Sequence, residues 1–162
     1  MIIIFYTTLQ TIVGILFIIE KDGAIDSILF EKGIKSFNTD KCILKETSLL
    51  KECKDQLESY FRGKLKKFSF PFNISGTPFQ KTVYKNLLEV PYGSLTTYKD
   101  IAIKSGNPFA CRAVGMANNR NKLPIVIPCH RVIASSGNLC GYSSGVDIKK
   151  ILIDIEKNNL YL

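Results

Sequence analysis

The sequence predicts an α+β protein in which a strand-rich front part precedes a mostly helical back part. Residues 2–30 are rich in β-branched and aromatic residues and carry a turn signal at 21–23. Residues 49–61 carry an apolar stripe with helical spacing. From residue 77 onward, capping residues and glycines divide the chain into short helices, two of them joined by a tight turn.

Composition indicates a folded, basic protein. The chain has 162 residues, of which 46% are hydrophobic and 22% are charged. These values exclude a disordered, collagen-like or low-complexity chain. Lys and Arg number 22 against 14 Asp and Glu, so the net charge is +8. This excess favours polyanionic partners, nucleic acid before an anionic membrane, without proving either.

Cysteine and histidine usage argues against secretion and against a structural metal site. Five cysteines cannot all pair within one chain, and the only histidine is His130. A structural zinc site needs four closely spaced ligands, and the chain has no CxxC motif. We therefore expect a cytoplasmic protein, in a reducing cytosol or nucleoid, with no metal. The cysteines are Cys42, Cys53, Cys111, Cys129 and Cys140.

The uncharged stretch at residues 2–19 is long enough to suggest a membrane span. No basic region precedes it, its middle at 7–11 is polar, and its β-branched residues favour strands. We therefore predict no membrane association. The predicted antiparallel strands cover about 1–8, 12–20 and 24–30.

The next segments predict a loop, a helix and a linker. Residues 31–47 read as a loop and 68–75 as an extended linker, which places the domain boundary between 1–75 and 76–162. The helix between them ends at Gly63. Its predicted core stripe is Leu49, Cys53, Leu57 and Phe61, with Leu50 and Tyr60 beside it.

Three helix starts follow in the back half. Thr77, Pro78 and Gln80 form a capping-box pattern, and Thr97 with Asp100 forms a second. The second helix runs from Tyr98 to about Ser105 and Gly106 closes it. The third opens at Asn107–Pro108 and runs to about Arg120. The pair is typical of a helix-turn-helix, and spacing alone leaves an ordinary αα-hairpin open.

The terminal helix is predicted to start near Asp147. Its predicted core stripe places Glu156 at one edge, near the helix end, where the helix dipole disfavours an unpaired carboxylate. We therefore expect Glu156 to have a partner. The stripe consists of Ile148, Ile151, Leu152 and Ile155.

Cys129 and His130 are adjacent within the segment 128–132. A thiol attacks only as the thiolate, and its free pKa is about 8.5, so a base must take its proton. Neighbouring residues on an extended chain point to opposite sides, so we expect a bridging water rather than direct contact. A carboxylate such as Glu156 could orient the imidazole. Composition alone leaves open that Cys129 is an inert packing residue.

Pro128-Cys129-His130-Arg131-Val132 resembles the active-site signature of the O6-alkylguanine-DNA alkyltransferases. Further motifs stand in that family's order and spacing: Thr97-Tyr98, residues 112–117, Asn121, residues 141–143, and the terminal helix ending in Glu156. The specific resemblance covers residues 76–157. The front part is similar in general shape only, for which the resemblance implies an RNase H-like sheet domain.

The resemblance implies a repair protein that flips O6-alkylguanine out of duplex DNA and transfers the alkyl group irreversibly, once, to Cys129. His130 would deprotonate the thiol through a water, and Glu156 would orient His130. Asn121 would hold the loop around the thiol. Tyr98 would support flipping and protonate the departing guanine. No cofactor is implied.

The resemblance further implies a monomer that binds double-stranded DNA through the minor groove with the helix at 108–120. Arg112 would enter the base stack and fill the gap left by the flipped base. The other implied DNA contacts are Thr97, Ala113, Gly115, Met116, Asn119 and Arg120. The implied substrate pocket consists of Val132, Tyr142, Ser143 and Ser144, with backbone groups near Val132 and Ser143 reading the guanine edges.

Some positions depart from the family pattern. Ser144 stands where a second loop glycine is common, which either narrows the pocket or changes the loop dihedrals. Lys122 replaces a common proline, and Cys140 is either a second oxidation target or filler. The alternatives are a non-transferring alkyltransferase-like lesion-binding protein, a helix-turn-helix regulator and a cysteine hydrolase. The first of these lacks the acceptor cysteine, and the last would need an oxyanion hole.

Overall fold

The computed structural model describes residues 3–38 and 41–159, and it confirms the predicted α+β architecture. The chain divides into two compact units, one ending at Asn73 and one starting at Ile74. Within these described residues, the first unit holds a four-stranded sheet, one α-helix and a 3-10 helix, and the second holds four α-helices and a two-stranded sheet. Among the described residues, no helix has the length and apolar character needed to cross a membrane.

The first unit begins with three antiparallel strands, β1 (Ile4–Thr11), β2 (Gly14–Lys21) and β3 (Ala24–Phe30). Asp22 and Gly23 both have positive φ (54° and 76°), as a two-residue hairpin turn requires. The first strand continues to residue 11 instead of 8, because its turn needs only residues 12–13. Residues 1 and 2 of that predicted strand lie outside the described residues.

The predicted loop at 31–47 was wrong in two places. A 3-10 helix covers Glu31–Ser36, and a short strand, β4 (Ile43–Leu44), pairs in parallel with β1. The sheet order is therefore β3-β2-β1-β4. Two exposed residues cannot show the alternation that identifies a strand, so β4 left no signal in the sequence. Residues 39 and 40 of this segment lie outside the described residues.

Helix α1 (Ser48–Phe61) starts at the Thr47 cap and ends before Gly63, whose φ is 72°. Its position was predicted, but its buried face is rotated from the predicted one. A spacing of exactly four residues drifts around a helix of 3.6 residues per turn, so Leu49 and Phe61 fall at the edges. The buried residues are Leu50, Cys53, Leu57 and Tyr60.

The predicted linker is partly an extension of the sheet. Phe72 forms a parallel bridge with Ile25, whose backbone N–H donates to Pro71 O at 2.9 Å. Asn73 N–H donates back to Ile25 O at 3.0 Å, and Phe70 is buried. Residues 68–73 therefore belong to the first unit instead of forming a free connection.

The second unit opens with α2 (Pro78–Leu88), and its predicted Thr77–Gln80 capping box is confirmed. Strand β5 (Thr96–Thr97) leads into α3 (Tyr98–Lys104), and the Thr97–Asp100 capping box is likewise confirmed. Strand β5 pairs in parallel with β6 (Val132–Ile133). This pairing brings the start of α3 beside the segment that follows Cys129.

Helix α4 (Cys111–Asn119) packs on α3, as predicted for the second helix of the pair. It starts three residues later than predicted. The side-chain oxygen of Asn107 accepts from the backbone N–H of Phe109 at 3.0 Å, which closes a turn where the helix was expected to begin.

The last helix, α5 (Val146–Asn158), has an unexpected buried face. The predicted core residues Ile148, Ile151 and Ile155 are half-buried. A hydrophobic pattern predicts that ionisable residues face solvent. Lys149 and Glu156 are nevertheless buried, because each has polar partners inside the protein. The buried residues are Lys149, Leu152, Ile153 and Glu156.

Candidate active site

Cys129 lies at the start of a 3-10 turn, Cys129–Arg131, between a buried loop and β6. Its side chain is buried, and residues 123–128 before it are buried as well. Within that loop Ile125 has a φ of 75°, which strains a β-branched residue. Such a backbone persists only where its surroundings hold it.

Asn121 supplies that support. Its Oδ1 accepts from Leu123 N–H at 2.9 Å, and its Nδ2 donates to Ile127 O at 2.9 Å. The side chain therefore bridges the two ends of the strained loop. The same Nδ2 also donates to Cys129 Sγ at 3.2 Å. One amide thus both shapes the loop and contacts the thiol.

A buried ionic network follows Cys129. His130 Nε2 lies 2.6 Å from Glu156 Oε1, and Arg131 donates to both carboxylate oxygens, at 2.8 and 3.0 Å. Arg131 also donates to Val90 O at 2.5 Å, and Gly93 N–H donates to Glu156 Oε2 at 3.0 Å. The partner that the sequence analysis expected for Glu156 is therefore a histidine and an arginine together.

This network sets the protonation of His130. Burial alone would raise the pKa of Glu156, but its bonds to His130 and the Arg131 guanidinium lower it to about 2. The carboxylate is thus ionised, so the imidazole donates from Nε2. Burial lowers the pKa of His130 below 6.5. The ring is therefore neutral at pH 7, with its lone pair on Nδ1, which has no hydrogen-bond partner among the described residues.

The Cys129 thiol is protonated at rest. Burial raises its pKa, although hydrogen bonds from Asn121 and Tyr142 and the charge of Lys149 act in the opposite direction. The buried thiol is therefore surrounded by polar groups that stabilise its thiolate form. Its neighbour in the chain, His130, carries a neutral imidazole. The 3-10 turn replaces the extended geometry assumed from the sequence.

Lys149 and Arg131 are site residues that sequence reasoning missed. The Lys149 ammonium is buried and donates to Val132 O at 2.6 Å and to Leu139 O at 2.5 Å. It also lies 5.9 Å from the centre of the Tyr98 ring. The sequence did contain a signal for Lys149. It is seven residues before Glu156, so both side chains share one helix face, and Glu156 was already expected to lie at the site.

A groove of about 480 Å³ opens beside this centre. Tyr98, Arg112, Gly115 and Asn119, all predicted site residues, line it together with residues that sequence reasoning did not select. Cys129 itself is not among the lining residues. The additional lining residues are Lys99, Cys111, Ala134, Ser135 and Gly141.

The remaining predicted DNA-contact residues are mostly on the surface. Ala113, Met116 and Arg120 are exposed on or just after α4, and Thr97 caps α3. Phe109, which sequence reasoning did not select, is 93% exposed just before α4. This surface therefore offers exposed basic, small and aromatic groups beside the groove.

The predicted pocket residues are spread between core and surface. Val132 is buried, Tyr142 and Ser144 are half-buried, and Ser143 is exposed. Ser144 has no positive φ, so it does not strain the loop. Cys140, with a φ of 50°, is the non-glycine residue of this loop that lies in the left-handed region. Within residues 3–38 and 41–159, no cluster of three or more potential metal ligands occurs.

Charge is distributed unevenly between the two units. From Ile74 onward the chain has 11 of the 22 basic residues but only 5 of the 14 acidic residues. The second unit therefore carries +6 of the net charge of +8. Such an excess favours binding of a polyanion by this unit.

Comparison with family models decides the assignment. Residues 78–158 match the DNA binding domain of 6-O-methylguanine DNA methyltransferase, and residues 4–74 match its ribonuclease-like domain. The chain belongs to the 6-O-methylguanine DNA methyltransferase family. The resemblance drawn from the motif at 128–132 is thereby confirmed, as is the ribonuclease-like nature of the front unit.

Individual relatives agree along almost the whole chain. A methylated-DNA–protein-cysteine methyltransferase of Methanosarcina barkeri is 44% identical over 96% of this chain and 99% of its own length. The constitutive enzyme of that name from Bacillus subtilis is 43% identical over 94% and 95%. The crystal structure of Mycobacterium tuberculosis OGT in complex with DNA matches with a TM-score of 0.88, 34% identity and coverage of 96% and 94%. The family's activity, repair of methylated DNA by transfer of the alkyl group, is the activity of this chain.

Proposed function

We propose that Cys129 accepts the alkyl group from O6 of guanine, with His130 as the base. The observation that carries this proposal is the protonation pattern around His130. Its Nε2 is bonded to an ionised carboxylate, its Nδ1 lone pair is unpartnered within the described part of the chain, and the buried thiol is its chain neighbour. Such a base, held by a third group, is the arrangement that activates a nucleophile.

In the proposed reaction a water passes the Cys129 proton to His130 Nδ1. The thiolate attacks the alkyl carbon, an S–C bond forms, and the C–O6 bond breaks with its electron pair going to guanine. Glu156 stabilises the imidazolium, and Tyr98 protonates the departing base. The product is a thioether, which neither hydrolysis nor thiol exchange reverses, so each molecule acts once and needs no cofactor.

We propose that the lesion reaches this centre by base flipping. A carbon inside a stacked duplex is not accessible to a buried thiol, so the base must be extruded, at a cost of a few kcal/mol. Arg112, exposed at the start of α4 and on the wall of the groove, is suited to enter the stack and offset that cost. The +6 charge of the second unit supports its contact with phosphates.

The finer parts of the proposal concern how the protein meets DNA. α4 lies in the minor groove, where Gly115 and Ala113 allow close approach, and Met116, Asn119, Arg120 and Thr97 lie beside it. The protein acts as a monomer. It works in the cytoplasm, associated with the nucleoid when bound to DNA. Its five cysteines are all free thiols, as suits a reducing compartment.

Intact-mass analysis tests the proposal. A duplex containing O6-methylguanine should add about 14 Da, the mass of one CH2 unit, to the chain, and peptide mapping should place it on Cys129. Cys129→Ser should retain DNA affinity and gain no mass. Cys140→Ser is the matched control and should gain the full mass, because that thiol is an exposed neighbour of the site.

The alternative functions give different results in the same experiment. A non-transferring lesion-binding protein or a helix-turn-helix regulator binds the duplex and leaves the mass unchanged. Mass gain on a thiol other than Cys129 would refute the assignment of the acceptor while leaving the family activity in place.

A further inference from the structure

Asn118 on α4 has a side chain that the mechanism above does not use. The residue is 8% exposed, and neither Nδ2 nor Oδ1 has a hydrogen-bond partner among the described residues. Buried polar groups without partners are rare in folded proteins, and a catalytic role is one of the recognised reasons for keeping them. Its neighbour Asn119, by contrast, is exposed.

The ring of Tyr98 lies along the same face of α4 as this amide. Gly115 lies one helical turn before Asn118, and a Cβ at Gly115 would be 3.8 Å from Cε1 of the Tyr98 ring. The ring therefore lies directly along this face of α4. Burial and the nearby Cys140 and Cys129 thiols raise the pKa of Tyr98, while the Asn118 amide acts to lower it. The amide is thus close to the phenol, although no full hydrogen bond joins them.

We propose that Asn118 is a positioning residue for Tyr98, donating from its amide N–H to the phenolic oxygen once the extruded base occupies the site. The phenolic O–H is then directed at the departing guanine. Hydrogen bonds used in catalysis are often long in the free enzyme and tighten only in the complex. The inference rests on the proposed function, in which Tyr98 protonates the base.

The direction of this hydrogen bond matters. If the amide carbonyl accepted from the phenol, the phenolic proton would be turned away from the base. With the amide as donor, the phenolate that forms when the proton leaves keeps a hydrogen bond until solvent reprotonates it. The Lys149 ammonium, 5.9 Å from the ring centre, also stabilises the negative charge of this phenolate.

Substitution of Asn118 separates this role from a structural one. Asn118→Leu has similar size and removes two buried polar atoms that lack partners. Replacing such groups with apolar ones is neutral or stabilising, so the unfolding midpoint should not fall. The transfer rate, in contrast, should fall about fivefold, as expected for the loss of one hydrogen bond.

A double-mutant cycle with Tyr98→Phe is the decisive experiment. Single-turnover methyl transfer from duplex O6-methylguanine is followed by mass for the wild type, Asn118→Leu, Tyr98→Phe and the double variant. Asn118→Leu should slow the wild type but cause no further loss in the Tyr98→Phe background. An equal loss in both backgrounds, or no loss in either, overturns the inference.

Asn118→Asp tests the donor directly. Burial raises the pKa of a carboxyl group at this position, so the rate is followed up to pH 9. Once ionised, the carboxylate can only accept, and the variant should then react more slowly than Asn118→Leu. A wild-type rate for Asn118→Asp at pH 9 refutes the proposal even if Tyr98→Phe is too slow to measure. A wild-type chain that gains no mass would instead refute the proposed function, which is a separate result.

Discussion

Glu156→Gln should destabilise the second unit in a way that depends on pH. Glutamine keeps the shape of the side chain but removes the charge that faces Arg131 and His130 at 2.6–3.0 Å. The side chains of Glu156 and Arg131 are only 2% and 8% exposed, so water cannot replace the lost partner. The Arg131 guanidinium is then buried without its carboxylate.

The structure sets the size of the effect. The pKa of Glu156 is lowered from 4.5 to about 2, which corresponds to about 3 kcal/mol of stability at neutral pH. Breaking a buried ion pair costs about 3–5 kcal/mol, which agrees in size. Because the folded-state pKa is the lower one, this stability is complete above pH 4.5 and is lost as the pH falls towards 2.

Urea unfolding followed by circular dichroism measures the effect, since the chain contains no tryptophan. At pH 7 the free energy of unfolding of Glu156→Gln should be about 3 kcal/mol below that of the wild type, and the gap should narrow below pH 4.5. Asp154→Asn on the same helix is the control, because its ion pair with Lys150 is exposed and worth at most about 1 kcal/mol. A gap that is absent, or the same at every pH, would refute the reasoning.

Four further results are expected. Arg112→Ala should slow repair in duplex DNA at least about tenfold more than reaction with free O6-benzylguanine; equal losses would count against base-stack insertion. Lys149→Met should lower the unfolding free energy by about 2 kcal/mol and slow transfer, because the carbonyls of Val132 and Leu139 lose their donor. The transfer rate should hold down to pH 6.5 and fall only in more acidic solution, since burial lowers the pKa of His130; a fall that begins above pH 6.5 would exclude this base. DNA affinity in titrations should fall steeply with salt, and a flat response would exclude a phosphate-dominated interface.

Local sequence signals predicted most of the fold because they act over a few residues. The capping boxes at Thr77 and Thr97 place the starts of α2 and α3 to the residue. The predicted third helix started too early because Asn107 closes a turn, a choice between two local hydrogen bonds that composition does not settle. Strand β4 was missed because its pairing with β1 is non-local.

The candidate site also has features that local sequence motifs predict and features that depend on contacts between distant residues. The motif around Cys129 predicts the nucleophile and its histidine, and the family comparison supports the activity that this prediction implies. The sequence could not show that Arg131 shares the Glu156 carboxylate, because those residues are 25 positions apart. It also could not show that Lys149 is buried, since a lysine on a helix is ordinarily a surface residue.

By itself, the sequence determined where most helices and strands form, which cysteine and histidine are predicted to react, and how the positive charge is distributed along the chain. These depend on residue type and on neighbours along the chain. The tertiary structure alone decided the protonation of His130, the pairing of Arg131 with Glu156 and the unpartnered amide of Asn118. Those properties depend on burial and on contacts between distant segments, because removing water makes each charge and hydrogen bond depend on what the fold places beside it.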